Sequence, residues 1–359
     1  MPEDLLILIL SRLPVKSLLR FKSVSKYCYS LIQNPSFVSL HHNHAAENTD
    51  CLIVKRYHKK DFLQSLSLVS NETHSNDLYI PFAVPPGPHV GDLYLLGSSN
   101  GVVCLGNSFA KFMVCNPATR EFKVLPAPPY RKRHRHVTSL LGFGLDPETN
   151  DYKLLRVAPL YEYDPRVSAK ICVGQKVQIY NMSADSWREI VATVPKDALL
   201  QHRGHSFATL LNGVFYWICV DRGCKILAFH MSGEVFEQVF LPEDILAFSS
   251  LQRKLVPPLC QIPGSATALA LVTLEFDELA KEPCLGIWYQ THVRVSECIG
   301  ISEKWRASLF RSNDCRMVSY NLDTRSIKEY HEVYDYPRSI DFRVFPYTEN
   351  LVSIKKRVY

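Results

Sequence analysis

One pattern, repeated four times, constrains this chain more than anything else in it. An apolar strand-like run leads into a polar turn and a second such run at Phe112–Phe122, Val177–Trp187, Ile226–Phe236 and Met317–Ile327. Aligned on Asn116, Asn181, His230 and Asn321, the copies lie 65, 49 and 91 residues apart. The last interval is close to two periods of about 45, which leaves room for a degenerate copy around Leu285–Ile299. A hairpin recurring at the length of a propeller blade, roughly 40–50 residues, cannot bury its apolar face alone and must stack on its neighbours. Asn100-Gly101 and Asn212-Gly213 precede two of the copies by 16 and 18 residues, and Asn-Gly is the strongest short hairpin signal because both residues accept positive φ. About 310 residues divided by this period give about six irregular blades. A pair of irregular β-sandwiches is the alternative.

The runs between the copies obey the same logic. Val102–Leu105, Lys111–Cys115, Tyr152–Val157, Val177–Tyr180, Val214–Val220, Ile226–Phe229, Ala268–Leu274 and Met317–Tyr320 are rich in β-branched and aromatic side chains, with Gly, Asn, Pro and Asp between them. Such runs read as short strands and hairpins. After residue 45 no helix-length amphipathic pattern stands out, apart from a turn near Glu243–Leu251.

The first 45 residues follow a different period. Pro2 suits a first helical turn, and Glu3 and Asp4 sit where the helix dipole favours negative charge. Leu5, Leu6, Ile9, Leu10 and Leu13 then recur at helical spacing until Pro14 stops the helix. A second helix is expected from about Val15 to Ser23, with Val15, Leu18 and Leu19 on one side. A third is expected over Tyr27–Ile32, ended by Asn34-Pro35, with one last turn at Phe37, Val38 and Leu40. His41-His42-Asn43-His44 reads as a solvated linker. Three helices in about 40 residues bury too little surface to be very stable alone, so a partner or a following domain must complete them. The expected fold is therefore α+β by segment: a small three-helix unit at 1–45, then an all-β propeller-like domain at 46–359.

Composition excludes several classes. Apolar residues make up 47% of the chain and charged residues 21%, as in ordinary globular proteins. The net charge of +6, from 41 basic and 35 acidic side chains, is modest for the length, so nucleic acid is not an expected partner. Eleven scattered cysteines, none in CxxC, point to a reducing compartment. An acidic N-terminus and the lack of any apolar run near ~18 residues leave no signal peptide and no membrane partner to expect. The expected location is the cytoplasm, with the nucleus as a second compartment.

Motifs for chemistry fail on their context. Gly97-Ser98-Ser99-Asn100-Gly101 satisfies GxSxG, but a nucleophile elbow needs a helix after the turn and here Val102–Leu105 follows. Gly142-Phe143-Gly144 lacks a third glycine. His41, His42, His44, His202 and His205 lie outside metal-finger spacing with cysteine. No catalytic residue, metal or cofactor is expected. The densest basic run holds Arg131, Lys132, Arg133 and Arg135 after Pro126-Ala127-Pro128-Pro129. It reads as a solvated inter-blade loop and as the candidate target-binding loop, with a nuclear-import or nucleic-acid patch as the alternative.

Leu13-Pro14-Val15-Lys16-Ser17-Leu18-Leu19-Arg20-Phe21, within Met1 to Phe37, resembles a plant F-box. Gly97–Gly101, Cys115–Glu121, Gly142–Asp146 with Asp151–Lys153, Ser186–Arg188 and Asn212–Trp217 are similar, in order, to the F-box-associated domain of the same plant proteins. Within them, the S-haplotype-specific and S-locus F-box-like group looks most similar. Cys28 stands where the family commonly has Trp. The resemblance implies a non-catalytic substrate receptor of a cullin–RING ubiquitin ligase. Its F-box would dock a Skp-type adaptor, and the cullin through it, by way of Pro2, Leu5, Leu6, Ile9, Leu10, Leu13, Pro14 and Leu18. Such a stripe suits a helix-groove partner, and Arg12, Lys16, Arg20, Lys22 and Lys26 suit an acidic one. The β domain would bind a protein target, a secreted-type style ribonuclease if the chain serves self-incompatibility. The alternative is a β-propeller hydrolase or lectin with a helical cap.

Overall fold

Proline and serine punctuate the N-terminal helices. In the computed structural model, α1 (Glu3–Leu10) starts after Pro2 and carries Glu3 and Asp4 in its first turn. It ends three residues earlier than the spacing of its leucines suggests. The Ser11 hydroxyl donates to Leu8 O, and Arg12 and Leu13 close tighter bonds to Ile9 and Leu10. Pro14 precedes α2 (Val15–Phe21). Ser25 caps α3 (Lys26–Gln33) by accepting from the Cys28 N–H at 3.1 Å. Pro35 then opens α4 (Pro35–Asn48), where a proline costs nothing because its missing N–H would have no partner anyway. The unit thus has four helices and not three. The expected solvated linker at His41–His44 is the middle of α4, with His41 buried.

Described are residues 2–48, 51–58, 63–70, 80–81, 93–107, 111–129, 140–164, 166, 169–195, 206–220, 224–240, 259–261, 269–271, 275–277, 282–284, 295–302, 307–312, 316–321, 324, 326–334 and 343–354. Among the described residues, every regular element after α4 is a strand. Sheet I orders Val344–Tyr347, Cys51–His58, Leu63–Ser70 and Ile80–Pro81. Sheet II is Tyr94–Ser99, Val102–Gly106, Phe112–Asn116 and Glu121–Val124. Sheet III orders Ser186–Ile190, Ala169–Asn181, Asp151–Asp164, Leu140–Asp146 and Ser206–Phe207. Sheet IV is Thr209–Leu211, Val214–Val220, Cys224–His230 and Val235–Phe240, and sheet V is Val295–Ser302, Ala307–Ser312, Arg316–Asn321 and Ile327–Tyr334. Two short two-stranded ladders pair Leu259–Gln261 with Leu269–Leu271 and Glu275–Asp277 with Glu282–Cys284. The domain is all-β and propeller-like, with a correction to the count. Among the described residues there are four four-stranded blades, one five-stranded sheet and these two ladders, in place of about six irregular blades.

Each repeat copy is the closing hairpin of a sheet: II, III, IV and V in turn. In the first three a four-residue turn ends on a residue of positive φ: Arg120 at 57°, Asp185 at 55° and Glu234 at 54°. The aligned asparagines have a job there. Asn116 Oδ1 accepts from the Ala118 and Thr119 N–H groups, and Asn321 Oδ1 accepts from Thr324, which folds the turn locally. Asn100-Gly101 and Asn212-Gly213 form the expected two-residue turns, with φ of 43°, 74°, 48° and 76° in order. The proposed degenerate copy at Leu285–Ile299 falls mostly outside the described residues, as does the turn at Glu243–Leu251.

By contact the chain divides into two units. The first comprises Met1–Gly106, Phe112–Leu125 and Val344–Tyr359, so it holds the helices, sheets I and II and the C-terminal segment. Sheet I joins the two ends of the β region, because Cys51, Ile53 and Val54 pair with Tyr347, Phe345 and Val344. Ile53, Leu66, Leu95, Val103, Leu105 and Tyr347 share the core of this β part. The second unit, Asn107–Lys111 with Pro126–Arg343, has a core of Leu140, Leu155, Val177, Phe215, Trp217 and Phe229 with their neighbours.

A candidate adaptor-docking face on the N-terminal helices

Four helices of this length have one small core to fill. Leu10, Val15, Leu18, Ile32 and Phe37 fill it, each at 3% exposure or less. Leu6, Ile7, Leu13, Leu19, Cys28, Leu31 and Val38 pack half-buried around them. Cys28 is thus a small filler at a wall of the core and a free thiol. The core uses one side of α1, and the other side is left over. Leu5, Leu8 and Ile9 are 49, 41 and 51% exposed. Phe21 and Val24 at the end of α2, and Tyr27 and Tyr29 on α3, are also exposed. Seven large apolar or aromatic side chains in water on so small a unit are the mark of an interaction surface.

The apolar stripe expected from spacing is therefore divided between two roles. Of the residues named for docking, Leu5 and Ile9 lie outside with Pro2 and Pro14, Leu6 and Leu13 are half-buried, and Leu10 and Leu18 are buried in the helix core. Leu8, Phe21, Val24, Tyr27 and Tyr29 were not among them. Leu8 shares the exposed side of α1 with Leu5, and a helical wheel centred on Leu5 finds it at i+3.

Two features fix the local geometry. The Tyr27 hydroxyl donates to Glu3 Oε1 at 2.8 Å, which holds the start of α3 against the start of α1. That bond, with Glu3's charge beside it, raises the phenol above its usual range. Next to it, Lys22, Ser23, Ser25, Lys26, Tyr29 and Ser30 line a groove of about 640 Å³ at the α2–α3 corner. Its cations and hydroxyls suit an acidic neighbour beside the apolar strip.

The other candidate site, the basic run of Arg131, Lys132, Arg133 and Arg135, lies outside the described residues. The GxSxG motif is a hairpin: Ser99 pairs with Val102 across the Asn100-Gly101 turn, and strand follows where an elbow needs helix. Among the described residues no helix is long and apolar enough to cross a membrane.

A small helical unit joined to an all-β propeller-like domain defines the class, and comparison with known proteins gives the family. Residues 1–40 match the F-box domain and residues 65–252 match the F-box associated beta propeller domain. The chain belongs to the F-box proteins that carry this associated domain. It is similar to the F-box protein At5g49610 of Arabidopsis thaliana, 28% identical over 68% of this chain and 65% of that one. It is also similar to the Arabidopsis F-box protein CPR1, 28% identical over 68% and 60% of the two chains. The putative Arabidopsis F-box protein At4g09190 is 29% identical over 96% and 85%. The match spans less than two thirds of the length of the first two relatives.

Proposed function

We propose that this protein is the substrate-recognition subunit of an SCF-type ubiquitin ligase, without catalytic chemistry of its own. Its helices dock a Skp-type adaptor, which brings the cullin, and its β domain holds a protein target for ubiquitylation. One observation carries the docking half: α1 keeps Leu5, Leu8 and Ile9 in water although the core beneath it is already filled. An apolar helix side of this kind lies down in another protein's groove. Leu5, Ile9 and the flanking Pro2 and Pro14 make the direct contact set. Leu6, Leu10, Leu13 and Leu18 support it from beneath.

The test is direct binding of a recombinant plant Skp-type adaptor to the full chain. Leu5→Asp together with Ile9→Asp should weaken binding at least ~100-fold, about 2.7 kcal/mol. Stability should change by no more than about 0.5 kcal/mol, because both side chains are exposed. Adaptor binding that ignores both charges removes this face from consideration. For the target, the S-locus resemblance nominates a style ribonuclease. Retention of such a ribonuclease on the immobilised chain supports that choice, and its passage through the column rejects it in favour of another protein target.

A further inference from the structure

We infer that the C-terminal segment 347–354 is a working part of the adaptor-docking unit, with Glu349 and Leu351 as positioning residues for the face that α1 presents. The inference rests on the docking role proposed above and adds to it residues at the far end of the chain.

The helices lack something that this segment supplies. Pro14 precedes α2 and has no side-chain acceptor, the first turn has no acidic residue, and Lys16 places a positive charge there. A helix start in that condition leaves its N–H groups unpaired and its dipole uncompensated. Glu349 meets both needs, since its Oε2 accepts from the Val15 N–H at 3.0 Å across 334 residues of sequence. Two residues on, Leu351 is 3% exposed inside the same core as Leu10, Val15, Leu18, Ile32 and Phe37. Glu349 and Leu351 thus both bear on the helices from one short strip, residues 347–354.

The same strip is bonded to sheet II. The Asn350 amide donates to Asn100 O at 2.8 Å. Asn116, fully buried, donates to Asn350 O and Val352 O at 2.9 and 2.7 Å. Glu121 accepts from the Ser353 hydroxyl and the Ile354 N–H, both at 2.9 Å. The strip passes so close over the Gly101 turn that a Cβ there would sit 2.5 Å from Asn350 Cβ and 2.7 Å from Thr348 O. The strip is therefore seated in the sheet and also reaches into the helix core. α1 leans on that core, so the exposed Leu5–Ile9 side is held in place from the chain's last residues.

Adaptor affinity of full-length variants tests this, with amide exchange as a second readout. Glu349→Ala should weaken recombinant adaptor about tenfold, the cost of a lost helix cap, while Glu349→Gln, which keeps an acceptor oxygen, should restore most of it. Leu351→Asp should cost at least ~100-fold, because it buries a charge without a partner. Ser353→Ala, where the strip meets sheet II, should stay within about twofold. In Glu349→Ala, the amides of Val15–Leu18 should exchange faster while those of Phe215–Trp217 do not change. Equal adaptor binding by wild type, Glu349→Ala and Leu351→Asp overturns the inference. So does a Ser353→Ala loss as large as that of Leu351→Asp, which would make the strip a general brace. A wild-type chain that binds no adaptor defeats the docking role itself, and the exchange measurement then still decides whether Glu349 holds α2.

Discussion

In sheets III and IV, Leu155, Val157, Ile179, Phe215, Trp217 and Phe229 are each at 1% exposure or less. On α1 alone, Leu5, Leu8 and Ile9 stand between 41 and 51%. The two regions do not differ in how apolar they are. They differ in whether the apolar surface finds cover inside the chain. Facing strands present broad sides that cover each other, whereas four short helices have more apolar side than core to put it in. The described core of sheets III and IV is covered from within the chain, although Tyr163, Ile171, Val173 and Val235 on the same sheets stand exposed. The helical unit is completed twice over from outside, by Leu351 from the C-terminus and, on the proposal above, by an adaptor.

The largest effect that separates the two belongs to Trp217. It is 1% exposed, its Nε1 donates to Leu141 O at 3.1 Å, and Phe215 packs against its ring at 6.0 Å between centroids. Trp217→Ala should cost about 3–5 kcal/mol in urea unfolding. A partner that binds the helices should not return this loss to the β core. Leu18→Ala supplies the matching cut in the helical core, where Leu18 is fully buried. Its cost should be about 2–4 kcal/mol, and here the adaptor should help. At a free concentration one hundred times its Kd, a ligand of the folded helices adds about 2.7 kcal/mol to their stability. Amide exchange in α2 and α3, with and without adaptor, reads the difference. The contrast between the regions breaks if adaptor protects Phe215–Trp217 amides as strongly as those of Val15–Phe21.

What the sequence reveals follows the range of the interactions involved. Turn chemistry is local and was legible: Asn100-Gly101 and Asn212-Gly213 turn where expected, and each aligned hairpin closes a sheet. Seven of the eight strand-like runs lie within or across observed strands, Ala268–Leu274 lies mostly outside the described residues, and two of the seven stop short of the strands they belong to. Tyr152–Val157 and Val177–Tyr180 belong to a longer hairpin in which Pro159 pairs with Gln175 and Gly174 with Leu160, and whose register shifts at Cys172/Gly174. α4 is legible only as one turn at Phe37–Leu40, because Pro35 looks like a stop and His41–His44 like a linker. Spacing alone put Ile9 and Leu10 on one stripe, although one is exposed and the other buried. The clasp of Glu349 and Leu351 was beyond reach, since nothing in residues 10–20 shows that a carboxylate 334 residues away will cap them.

The smallest effect again lies in the helices and turns on His41. Its ring is 2% exposed, and Nε2 meets the carbonyl of Leu13 at 2.9 Å, so Nε2 carries the proton and donates. Nδ1 is then a bare acceptor with no hydrogen-bond partner. Protonation would place a second N–H and a charge where nothing receives them. Burial holds the ring's pKa below its usual range, and His42 and His44 push the same way; the Leu13 bond and the charge of Glu349 push back and lose. A group with a depressed folded pKa binds fewer protons folded than unfolded in the window below about 6.5, so stability falls as pH falls through it. The helices should therefore melt at a lower temperature at about pH 5.5 than at about pH 7.5, followed by far-UV circular dichroism. His41→Gln keeps a donor near Leu13 O but cannot titrate, so it should flatten the slope, leaving the Phe215–Trp217 region as it was. An equal slope in His41→Gln would rule out the His41 ring as the source of the acid sensitivity.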